Sequence, residues 1–313
     1  MNTDDSFLHF LCATGVIFSC LVIIGVLPAL SLFFLWVIYL SLTVAGQLFM
    51  GYQWQNLLLE AGFLSIFLTP FSVRLKGQPL SGISLGALWL IRILLFKLMF
   101  SSGIVKLSSG DETWKTLTAL NHHYETTPIA TWTSWYFHQA PEWFQKVSTL
   151  IMFFGELVAP FFIFAPRRLR HIGFWILLIL QALIAGTGNY AYFNLLAMVL
   201  CITLLDDHVW LKGLKNKRKT PIHDEPGQKR RPWSFALIFP IAFVFLTIST
   251  VQMVNAFRTN IKFPKTVIRL YRVIAPFRTV NGYGLFASMT TTRPEITIEG
   301  SQDGKVWRTY EFK

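Results

Sequence analysis

The chain has 313 residues, 53% of them hydrophobic, 16% aromatic and 14% charged, with a mean hydropathy of +0.48. Soluble domains carry about a quarter charged residues, so a soluble enzyme, a disordered chain and a collagen-like fibre are excluded. The expected fold is an all-α multi-pass membrane bundle with about eight hydrophobic segments. A net charge of +12 is no argument for nucleic acid, because basic residues of membrane proteins gather in cytoplasmic loops.

In chain order, residues 8–27 and 29–46 are each long enough to span, with Pro28 turning between them or kinking one long helix. Residues 57–71 are shorter and carry Glu60, so an oblique span, a re-entrant segment and an interfacial helix are all open. Residues 83–103 span despite Arg92 and Lys97, and 147–165 span despite Glu156. A helical hairpin over 171–186 and 190–205 turns at GTGNY, and 233–252 is the last span. Three cysteines, Cys12, Cys20 and Cys201, lie in apolar runs without CxxC or Cys/His pairing, so neither a disulfide framework nor a metal site is expected.

Loop charge sets the orientation. The densest short basic loop is Arg167-Arg168-Leu169-Arg170-His171, and the next lies within 212–231. Both flank the hairpin and are expected to be cytoplasmic, with Arg74 and Lys76. The expected organisation is a membrane domain over 1–205 with an outward loop at 104–146. A basic cytoplasmic linker over 206–232 and the last span, 233–252, follow. After 253 period-two alternation replaces continuous apolarity. Ile296 and Ile298 alternate with Thr297 and Glu299, Asp303-Gly304 signals a hairpin turn, and Val306, Trp307, Tyr310 and Phe312 continue a second strand. Residues 253–313 therefore read as the start of an extracytoplasmic β-rich domain, cut off at Lys313 with too few strands to close a core. Asp4 and Asp5 stand where a signal peptide would be basic.

Ionisable groups inside spans are costly and are candidates for function. The richest block follows the 83–103 span, with Lys106, Asp111, Glu112, Trp114, His122, His123, Tyr124, Glu125 and His138, and aromatic Trp132, Trp135, Tyr136, Phe137 and Trp143. It fits an interfacial loop with rings at headgroup level, or a cleft in which a desolvated Lys106 acts as a base. The bland alternative for Lys106 is a snorkelling residue that ends a helix. Trp114, His122, His123, Tyr124, Glu125, Trp135, Tyr136 and His138 would face a client or substrate. Adjacent histidines without HxxxH or HExxH do not make a metal site, and no cofactor motif is present. Glu156 is expected to pair with Arg92 or Lys97, and Glu60 to be paired within the bundle as well.

The same blocks resemble the lipase maturation factor family. The strings that carry the resemblance are GYQWQNLLLEAGFL (51–64), LMFSSGIVKLSSGDETWKTLTALNHHYETTPIATWTSWYFHQAPEW (98–143), ELVAPFFIFAPRRLR (156–170), GTGNYAYFNLL (186–196) and NGYGLFASMTTTRPEITIEGSQDGKVWRTYEFK (281–313). They cover most of the chain in the family's order. The resemblance implies a multi-pass protein that helps secreted lipases or other exported hydrolases fold, working in a lipid bilayer. In animals such proteins sit in the endoplasmic reticulum membrane, with the part after the last spans in the lumen. A chain without long insertions or a retention signal suits a bacterial inner membrane. A more remote resemblance, of GIVKLSSGDETW to the membrane domain of vitamin K-dependent γ-carboxylase, implies an enzymatic alternative. Lys106 would be the base on a lipid-soluble or quinone-like substrate and Trp114 a cleft residue. The carboxylase's histidine has no counterpart, since Gln55 or Asn56 sits roughly there.

Overall fold

The computed structural model describes residues 4–70, 73, 84–206, 233, 235–257, 261–294 and 296–311. The linker expected at 206–232 lies, except for Asp206, outside the described residues, as do Arg74, Lys76 and Phe312. The helices are α1 (Asp5–Ile24), α2 (Pro28–Gly46), α3 (Gln53–Leu68), α4 (Leu85–Ser108), α5 (Glu112–Lys115), α6 (Ala119–Thr126), α7 (Trp132–His138), α8 (Glu142–Phe153), α9 (Arg167–Thr187), α10 (Phe193–Ile202), α11 (Phe235–Ala256) and α12 (Lys265–Ile274). Helix α8 runs on as a π-helical turn, Phe154–Val158, and a 3-10 turn, Ala159–Phe164.

Among the described residues six helices are long and apolar enough to cross a membrane: α1, α2, α4, α8 with its extension, α9 and α11. The expected eight segments are thus corrected to six spans and two shorter helices, α3 with 16 residues and α10 with 10. Ten residues rise only about 15 Å, half of a bilayer core. The α1–α2 break resolves as two helices. Gly25 is left-handed, Val26 N–H reaches back to Leu21 O at 2.8 Å, and Pro28 opens α2 at a position where its missing N–H costs nothing.

Helix α4 is the most enclosed span and α1 the least. Around Leu94, Leu95 and Leu98 of α4 pack Leu57 and Leu64 of α3, Leu177 of α9, Leu200 of α10 and Phe245 of α11. Lipid tails are as apolar as leucine, so close packing and buried polar contacts hold such helices together.

The two ends of the bundle differ. At one end Arg170 donates to Leu204 O and to Asp206, and Arg92 donates through Nε and Nη2 to Thr203 O at 2.9 and 2.7 Å. The carbonyls of Thr203 and Leu204, at the C-terminal end of α10, are thereby met by cations, where the helix dipole favours them. At the other end lie α5, α6, α7, the α9–α10 turn and the chain after α11.

The tail departs from the β-rich domain expected over 253–313. Among the described residues only Glu299–Gly300 (β1) and Arg308–Thr309 (β2) pair, antiparallel. The hairpin is real, but its loop is longer than an Asp-Gly turn requires. Asp303 Oδ1 accepts from Lys305 N and Val306 N, both at 2.9 Å, and takes them away from a ladder. Residues 278–289 form no strand. They fold back onto the bundle, with Val280 and Tyr283 buried.

Candidate functional site

Two lysines nine residues apart on α4 face opposite ways, since nine steps of 100° make half a turn. Lys97 faces α3 and α11, where it pairs with Glu60 and donates to Ser249 Oγ at 3.4 Å. The rings of Phe245 and Tyr283 lie 5.1 and 5.2 Å from its Nζ. Glu60 Oε2 accepts from Asn281 N at 2.8 Å, Asn281 Nδ2 at 3.2 Å and Tyr283 OH at 2.7 Å. A buried carboxylate with both oxygens engaged satisfies the condition under which an ion pair is tolerated in a low dielectric.

Lys106 faces α8. Its Nζ donates to both oxygens of Glu156 at 2.7 Å and lies 5.6 Å from the Trp114 ring. Glu156 sits in the π-helical turn, a distortion that often marks functional positions. Gly103 allows the contact, because a Cβ there would lie 2.6 Å from Leu157 Cδ2 and 3.1 Å from Glu156 Cβ. The expected pairing of Glu156 with Arg92 or Lys97 is therefore corrected. Arg92 caps α10, Lys97 holds Glu60, and Lys106 lies within α4 rather than in the outward loop.

A cavity of about 50 Å³ adjoins the pair, lined by residues that include Lys106, Glu156, Gln181, Tyr190, Asn194 and Phe286. Asn194 donates to Gln181 Oε1 at 2.8 Å. The cover comes from the outward helices. His123 shares a hydrogen bond with Tyr190 OH at 3.0 Å and meets Phe286 edge-on. Burial, then the charge of Lys106, pushes the His123 imidazole down to about 4, so it is neutral at pH 7. Burial pushes Tyr190 and Tyr124 up to about 12.

The returning segment closes the same end. Trp114 Nε1 donates to Phe286 O at 3.0 Å, and Asp111 Oδ2 accepts from Met289 N at 2.6 Å. Burial works to raise the Asp111 carboxyl, but the hydrogen bond from Met289 N and those from Thr113 hold it below the usual carboxylate range.

The predicted residues thus separate. Lys106, Trp114, His123 and Tyr124 gather around the pair and its cover. Glu125 is flanked by His122 and His138 at 3.7 Å each, in a half-exposed cluster nearer solvent. Trp135 and Tyr136 are exposed on α7, and their rings meet edge-on. No cluster of three metal-ligating side chains occurs among the described residues. Sequence reasoning missed Tyr190, Asn281, Tyr283 and Phe286. Tyr190 lies in GTGNY and the other three in NGYGLF, strings that read as turns and give no sign of what they pack against.

A ligand pocket usually offers about 300–1,000 Å³, so the small cavity beside Lys106 does not accommodate a quinone-like substrate. Both oxygens of Glu156 hold Lys106, which is the arrangement of a paired cation.

A family profile described as the lipase maturation factor transmembrane domain matches residues 1–212. Lipase maturation factor 2 of Xenopus laevis is 33% identical, over 95% of this chain and 55% of its own length. Lipase maturation factor 1 of mouse is 33% identical, over 89% of this chain and 51% of its own. Mouse lipase maturation factor 2 reaches 46% identity over 60% of the chain. The chain spans about half the length of the first two of these relatives. No solved structure matches. These matches give the carboxylase-like reading no support. A profile over two thirds of the residues and relatives across most of the chain agree, and the chain belongs to the lipase maturation factor family.

Proposed function

We propose that this protein assists the folding or assembly of an exported lipase or related secreted hydrolase, using the bundle end built from α5–α7 and the returning segment. The observation that carries this reading is an aromatic shelf. Trp132, Trp135, Tyr136 and Trp143 are each more than 60% exposed and stand at the end closed by residues 278–289. Large exposed rings rimmed by polar groups suit a partly folded client that shows apolar surface. The names of the relatives point to lipases as the client class.

Residues 1–205 with α11 form one membrane unit in this reading, and 253–313 lie outside the cytoplasm. The basic turn Arg167–His171 belongs to the cytoplasmic end by the positive-inside rule, so the shelf faces the lumen. The vertebrate origin of the relatives does not favour a bacterial inner membrane. We therefore take the endoplasmic reticulum membrane that the resemblance implies for animal members.

The test is site-specific photocrosslinking in cells that secrete a lipase. A photoreactive residue at Trp135 or Tyr136 is expected to capture the immature lipase, and one at Arg168 is not. Capture at Arg168 as strong as at Trp135 would reverse the orientation. Absence of lipase from every adduct, with normal lipase secretion after deletion of the protein, would remove the assigned role.

A further inference from the structure

We propose a phospholipid site between α2, α3, α11 and the segment 271–281, with an anionic headgroup at Arg278 and one acyl chain in the adjoining apolar cavity. Two cavities share the 274–282 stretch as a wall. The first, about 380 Å³, is lined by side chains that include Trp36 of α2, Phe63 of α3, Val244 and Phe245 of α11, and Phe277. The second, about 560 Å³, lies toward the α2 C-terminus and is lined by residues that include Gln47, Asn56, Tyr271, Arg278 and Asn281. From α2 to the residue just after it the lining passes from Trp36 to Thr43 and Gln47, and along α3 from Phe63 to Asn56. Apolar wall thus gives way to polar wall toward the same end of the bundle, which is the profile of an amphiphile standing upright in a leaflet.

Charge selects the headgroup. Arg278 donates through Nη1 to Asn56 Oδ1 at 2.6 Å, and no carboxylate lies within ion-pair distance of it among the described residues. Its backbone is left-handed, φ 50°, a conformation that is costly for a side chain with a Cβ and clusters at functional positions. The preceding helix reinforces the sign. Lys265, Arg269 and Arg272 follow one face of α12, while Val267, Leu270 and Ile274 follow the other. Such a helix lies in the plane of an interface and is drawn to anionic lipid. A guanidinium fork matches a phosphodiester, and both cavities fall within the size range of ligand sites.

The full chain in detergent, examined by native mass spectrometry, tests it. Phosphatidylglycerol is expected to stay bound about tenfold more than phosphatidylcholine with the same chains, the factor expected of one charge-assisted hydrogen bond. Arg278→Gln should erase the preference, and Arg278→Lys should keep most of it. Arg278→Gly accepts the left-handed backbone, so it supplies a folded comparison should glutamine prove unstable. A phosphatidylglycerol with brominated chains should quench the fluorescence component that Trp36→Phe removes. That substitution deletes an indole N–H without an acceptor among the described residues, so the fold tolerates it. The proposal fails on any of three results. They are an undiminished preference in Arg278→Gln and Arg278→Gly, equal quenching with and without Trp36, or competition by glycerol phosphate as strong as by the intact lipid.

Discussion

The two buried pairs on α4 share a chemistry and differ in their surroundings. Glu60 spends one oxygen on Lys97 and the other on Asn281 and Tyr283, so the pair is a junction of three distant parts of the chain. Glu156 spends both oxygens on Lys106 and faces a small cavity whose lining mixes apolar side chains with Gln181 and Asn194 and includes the aromatic Tyr190 and Phe286. The first arrangement is a lock whose every group is committed. The second keeps a charged pair under a cover of His123, Tyr190 and Phe286, at the end of the bundle where the candidate client surface lies.

Glu60→Leu is the harshest way to examine this contrast. It strands Lys97 and frees Asn281 and Tyr283, and should cost roughly 3–5 kcal/mol. Thermal melting and inserted yield would show it, and proteases should gain access to 278–289. Glu156→Gln leaves an acceptor for Lys106 and should cost less, roughly 1–3 kcal/mol, with the tail still protected. Equal losses in the two variants would end the distinction between lock and covered pair.

Acid sharpens it further. The His123 imidazole is held at about 4, below its ordinary 6.5. An unfolded chain therefore binds this proton first. The contribution of a neutral His123 is complete above pH 6.5 and is lost as pH falls from 6.5 through 4, a total of about 3 kcal/mol. Melting temperatures between pH 7 and 4 should fall more steeply for the native chain than for His123→Gln. Parallel curves would mean that the cover over Glu156 does not depend on this histidine.

The smallest effect belongs to the hairpin. Gly304 is left-handed, φ 69°, and Gly304→Val should cost about 1–2 kcal/mol. Hydrogen exchange should rise over 299–309 and stay unchanged in the spans. Loosening of the Glu60 region would show instead that the hairpin supports the lock.

Most of the bundle was legible because continuous apolar runs dictate spanning helices whatever they pack against. Residues 5–24, 28–46, 85–108 and 167–187 fall close to where hydropathy puts them. Helix α3 was harder, since Glu60 interrupts its apolarity and only the partner Lys97 explains why the charge is there. Pairing itself was not legible. Three cations on α4 and two acids, Glu60 on α3 and Glu156 in the π-helical turn after α8, allow several matches, and the choice rests on helix phase and on Gly103 admitting Glu156. The tail misled for a physical reason. Asn281, Tyr283 and the backbone of 281–289 look like loop or strand chemistry in sequence, while in the fold they satisfy the carboxylates of Glu60 and Asp111, 178 to 223 positions upstream.

That reach across the chain bears on biosynthesis. Glu60 is translated long before Asn281 and Tyr283, so a nascent bundle holds a buried carboxylate paired to Lys97 through one oxygen, with the donors to its other oxygen missing, until the ribosome has passed residue 283. A messenger truncated before codon 281 is expected to yield a product recognised as unfinished, even with all six spans inserted.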